Sequence, residues 1–166
     1  MKMDLSDVFN QKEHEPEKTD DVTPITANAK TEARLVAVQG IYRRLLLADS
    51  FFDIQHTFDS TYLKNRRANK AHFRKILEQA IADEQRYRDM LEPMLSENWQ
   101  WDRIGYVEKA ILYAAVTELE VCQETPKKVV LNEYLTIAHS YFDAAEVRFI
   151  NGVLDKAARM LRDDTT

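Results

Sequence analysis

Ala33-Arg34-Leu35-Val36-Ala37-Val38-Gln39-Gly40-Ile41-Tyr42-Arg43-Arg44-Leu45 is the stretch whose spacing decides the fold class. Ala33, Val36, Ala37, Gly40, Ile41 and Leu45 recur at steps of three and four, which lines one face of a helix and suits no strand. The same period returns downstream. It predicts a short helix over Asp53 to Leu63, then a long one carrying Phe73, Ile76, Leu77, Ala80, Ile81, Tyr87, Met90 and Leu91, with Pro93 near its end. Another runs from about Tyr106 to Val121 on Val107, Ala110, Ile111, Ala114 and Leu119. Thr125 before Pro126 predicts an N-cap followed by proline at the first helical position, opening a helix to His139. Asp143 with Glu146 reads as a capping box, with Phe142 and Val147 as its hydrophobic staple, opening a helix from Ala144 to Leu161. The expectation is all-α: one bundle of six or seven helices over residues 29–162, with 163–166 frayed.

Composition agrees. Three Gly and four Pro among 166 residues are too few turn formers for a sheet of many strands. The longest apolar run, Ala110 to Val116, is too short to span a bilayer. No signal-peptide pattern opens the chain, so a cytoplasmic protein is expected. Residues 1–28 are acidic, with three Lys against seven Asp and Glu, and hold Pro16 and Pro24 without a sustained apolar period. Such a segment buries too little to offset its ordering entropy and is expected to be disordered. It also accounts for most of the net charge of −5, leaving the remainder nearly neutral.

Catalytic signatures are absent: no P-loop, dinucleotide glycine fingerprint, HExxH or paired CxxC occurs. His14, His56, His72 and His139 are scattered, and Asp53-x-x-His56 has no second copy as a di-metal bundle site requires. No metal, cofactor or enzymatic role is expected. Cys122 falls in an apolar stretch and reads as a buried inert thiol. Lys64, Arg66, Arg67, Lys70, Arg74 and Lys75 form a dense basic run that could meet phosphate or simply face water.

Three segments stand out: Ala33-Arg34-x-x-Ala37-Val38-Gln39-x-Ile41-Tyr42; Trp99-x-x-Asp102-Arg103-Ile104-Gly105-x-Val107-Glu108-Lys109-Ala110-Ile111-Leu112 with Glu118-Leu119; and Pro126-x-Lys128-Val129-x-Leu131-Asn132-Glu133 leading to Arg148-Phe149-Ile150-Asn151-Gly152-Val153-Leu154-Asp155. Together they resemble the NusB family of bacterial transcription antitermination factors. Their order and spacing match the family from about Ala29 to Met160. The resemblance implies two packed helical subdomains that bind boxA-type single-stranded RNA together with NusE, a small-subunit ribosomal protein. It also implies indirect assembly with other Nus factors and RNA polymerase in ribosomal RNA operons, and a possible homodimer.

By the same resemblance, Lys30, Arg34, His139, Tyr141, Arg148 and Phe149 are the candidate RNA contacts, and Glu108 the partner contact. Phe149 could equally be core, and Glu108 an ordinary charge near a helix start. Asn151-Gly152 and Gly40 read as points of close helix packing. Trp99, Val107, Ile111, Val153 and Leu154 read as core. The chain departs from the family at its first helix, where several adjacent arginines are reduced to Lys30 and Arg34 around Glu32. Tyr113 stands where the family favours Arg, Tyr134 where it favours Ala, and His139 where it favours Lys. The depletion keeps a second reading open: a NusB-fold protein scaffold or homodimer with weakened RNA binding.

Overall fold

In the computed structural model the described residues are 25–62 and 68–162. The expectations for the acidic tail up to residue 24, for Leu63, Lys64, Arg66 and Arg67, and for 163–166 lie outside them. Seven α-helices and no strand occur among the described residues. Helix α1 spans Ile25–Leu47, so it starts four residues before the expected boundary. Its buried residues include Ala33, Val36, Ala37, Val38 and Ile41. Gly40 is a point of close approach: an added Cβ would lie 3.1 Å from Leu77 and 3.3 Å from Ile54. Ala48 ends α1 with φ 57°, a left-handed turn in which the Arg44 guanidinium donates to the carbonyls of Ala48 and Asp49.

Helix α2, Phe51–Thr57, is capped by the Ser50 hydroxyl and runs into a wide π-helical turn over Phe58–Tyr62. Helix α3, Lys70–Ala82, begins at Asn69, whose side chain accepts from the His72 backbone N–H. The long third helix expected from periodicity divides here. Asp83 leaves helical geometry (φ −114°, ψ 27°), its carboxylate accepting from Gln79 and Arg86, and α4 resumes over Glu84–Leu91. The apolar period persists across this break because both pieces face the same core, through Leu77 and Ala80 on one side and Tyr87 and Leu91 on the other.

Helix α5, Tyr106–Val121, is buried on nearly every side from Ala110 to Leu119, which suits a central helix. It packs against α1, α3, α4, α6 (Lys127–Tyr141) and α7 (Ala144–Leu161). Every other described α-helix except the short α2 thus packs on α5. Pro126 occupies the N-cap of α6, one position earlier than expected, with an extended ψ of 141°. Asp143 caps α7 as expected, accepting from the Glu146 N–H at 3.0 Å. At the far end of α7, buried Arg162 donates to the carbonyls of Leu119, Cys122 and Thr125, closing the C-terminus of α5. No helix among the described residues is long and apolar enough to cross a membrane.

Candidate nucleic-acid interface

Lys30 and Arg34 lie one turn apart on α1, yet their surroundings differ. Lys30 is half-buried at the rim of a shallow depression of about 350 Å³, which Pro126 and Val129 line from α6. Arg34 is 3% exposed, and this corrects its expected place as a free phosphate-gripping cation. Its Nε reaches the two Glu118 carboxylate oxygens at 2.9 and 3.0 Å, and a terminal nitrogen lies 3.4 Å from Glu133. Thr31 also donates to Glu133, at 3.1 Å. The charge of Arg34 is therefore committed to two acids inside the bundle.

His72 completes this group, with Nε2 2.5 Å from Glu118. Burial alone would raise the Glu118 carboxyl, but the His72 hydrogen bond and the Arg34 charge outweigh it and hold it below its ordinary value. Ligand-type atoms of His72, Glu118 and Cys122 lie within 4.8 Å of one another. The Glu118 oxygens already face Arg34 and His72, and burial pushes the Cys122 thiol up, away from the thiolate a soft cation takes. This donor set suits a structural ion pair rather than a cation site.

The other candidate RNA contacts gather where α6 meets α7. His139 is exposed and Tyr141 half-buried at the end of α6, and exposed Arg148 sits in the second turn of α7. Only Phe142 and Asp143 separate the two helices. Phe149 is 8% exposed and stacks on Trp99, with ring centroids 4.1 Å apart and planes 15° from parallel. One face of the Phe149 ring is thus covered by a half-buried Trp99, which had been expected in the core. Helix α6 connects this cluster to α1: from Glu133 to Tyr141 is about 12 Å along its axis.

Glu108, in the first turn of α5, is half-buried. Burial raises its carboxyl above the ordinary value, and the charge of Glu146 on α7 adds to the effect. Burial and Asp143 raise Glu146 in the same sense, and one Glu146 oxygen is shielded from solvent without a hydrogen-bond donor. The two half-buried carboxylates thus lie on helices that pack together, α5 and α7. Glu146 was missed beside Glu108 because its capping role explained it locally.

Gly152 overturns its packing expectation. It is exposed, a Cβ there would meet nothing within 4 Å, and Asn151 beside it is exposed too. Residues 31–159 match the sequence model of the NusB family. A transcription antitermination protein NusB of Bradyrhizobium sp. (strain ORS 278) is 33% identical over 145 residues, covering 83% of this chain and 86% of its own. One from Rhizobium leguminosarum bv. trifolii (strain WSM2304) is 31% identical over 150 residues, covering 84% and 92%. Among solved structures, the antitermination factors NusB and NusE in complex with dsRNA superpose with TM-score 0.69 at 24% identity, covering 81% of this chain and 98% of that one. T. maritima NusB superposes with TM-score 0.68 at 21% identity, covering 82% and 92%. By the match along residues 31–159 and by relatives a third identical over most of its length, the chain belongs to the NusB family of transcription antitermination proteins.

Proposed function

We propose that this chain binds boxA-type single-stranded RNA together with NusE, and so supports transcription of ribosomal RNA by recruiting other Nus factors and RNA polymerase. The observation that carries the reading is the convergence of His139, Tyr141, Arg148 and the Trp99–Phe149 stack at one helix junction. An arginine beside aromatic rings is what an unstacked RNA strand needs, through phosphate attraction and base stacking. Lys30 extends the surface along α6, while Arg34 positions α1 through its buried ion pairs. On this reading NusE meets the surface around Glu108 and Glu146. The chemistry is binding without turnover.

Gel filtration of the purified chain with NusE and a boxA-type RNA tests this, since the three should elute as one complex. Elution of RNA apart from the proteins would remove the RNA part of the proposal. The commitment of Arg34 to Glu118 and Glu133 favours a second reading, a scaffold or homodimer with little RNA affinity. There, Glu108→Lys should abolish the protein complex while Arg148→Ala and Phe149→Ala leave function unchanged.

A further inference from the structure

The basic run before and within α3 stands far in sequence from α1, but the fold brings its described part to the depleted end of that helix. The Asn69 backbone N–H donates to the Ala29 carbonyl at 2.9 Å, which fixes the N-cap of α3 one residue from Lys30. Lys70 follows directly. Lys75 lies about a turn and a half further on, and the charges of Lys30 and Lys75 both act on the Cys122 thiol at the C-terminus of α5. Lys70 and Lys75 are exposed, and neither forms an ion pair with an acid among the described residues. Arg74, between them, is instead tied to Asp59 at 3.1 Å. Glu124 and Glu133 line the depression that Lys30 rims, and Glu78 follows Lys75 by three residues on α3.

The first turns of α1, α3 and α6 carry no acid, although helix N-termini ordinarily favour one. Instead α6 opens with Lys127 and Lys128. Lysines therefore stand at two of these ends, Lys70 on α3 and Lys127 and Lys128 on α6, and Lys30 lies next to the residue that the α3 N-cap contacts and beside Pro126. We infer that Lys70 and Lys75 of α3 join Lys30 of α1 in one surface that contacts the phosphates of bound RNA, supplying in space the cations that α1 lacks in sequence. This rests on the RNA-binding reading above. It assigns backbone contacts, which position the strand without reading its bases.

The test is the salt dependence of binding between a fluorescent boxA-type RNA and the complex of the full chain with NusE. Each phosphate contact contributes about 0.7 to the slope of log affinity against log salt for a single strand. Lys70→Ala and Lys75→Ala should each lower the slope by about 0.7, and the double variant by about 1.4, with Lys75→Arg restoring its share. Arg103→Ala, near the opposite end of α5, removes one exposed charge and should leave the slope unchanged. An unchanged slope in the double variant, where Lys30→Ala still lowers it, overturns this inference and leaves the RNA-binding reading standing. Failure of the unaltered complex to bind RNA overturns both.

Discussion

Arg34 carries one charge that Glu118 and Glu133 both hold, and its burial fixes what substitution does. Arg34→Met strands the Glu118 charge in the core, and unfolding in denaturant should show a loss of about 3–5 kcal/mol. Lys30→Ala, at the rim, should stay within about 0.5 kcal/mol while weakening RNA binding. The folded-state value of Glu118 lies below its unfolded value of about 4.3. Its stabilisation is therefore complete above that pH and fades as pH falls through the lower folded value. Glu108 has the opposite sign: burial raises its folded value, so ionisation costs stability as pH rises above about 4.3. Glu108→Gln should raise Tm at pH 7 while weakening the complex with NusE, a pairing that thermal melts and a binding titration resolve. None of this ionic chemistry was legible beforehand. Arg34 and Glu118 stand 84 positions apart, and no local spacing joins them.

Helices were legible where burial imposes a period, and less so where polar side chains decide the ends. Capping of α7 by Asp143 could be read because donor and acceptor sit three residues apart. The break at Asp83 could not, because Gln79 and Arg86 draw its carboxylate off without disturbing the apolar spacing. Gly40 and Gly152 looked alike in sequence and differ in space: one meets Leu77 and Ile54, the other open solvent. Gly152→Ala should stabilise α7 by about 1 kcal/mol, read from denaturant melts. A simultaneous loss of partner or RNA binding would mark a ligand that approaches the bare backbone there. Arg162 is the last described residue, yet it holds three carbonyls at the α5–α6 turn. Arg162→Met should cost about 3 kcal/mol, because charged hydrogen bonds to buried carbonyls are lost together.

Across the whole molecule, the segments around Ala33, Trp99 and Phe149 fold into one bundle, as their order along the chain implied. Ala33 sits in the core on α1, and Trp99 stacks on Phe149 of α7. The architecture was readable because a central helix apolar all round from Ala110 to Val116, α5, admits few partners besides amphipathic helices. The surface was less readable, since which cations remain free depends on acids brought in from other helices. Arg34 was lost to that pairing, and Lys70 and Lys75 emerged beside α1 from a run whose location the spacing left open. The most direct measurement is fluorescence anisotropy of a boxA-type RNA and a scrambled RNA of equal length against the chain with NusE, across a range of salt. The account predicts tighter binding of the boxA-type strand, with affinity falling as salt rises for both. Equal binding of the two strands, or no binding of either at low salt, would contradict it.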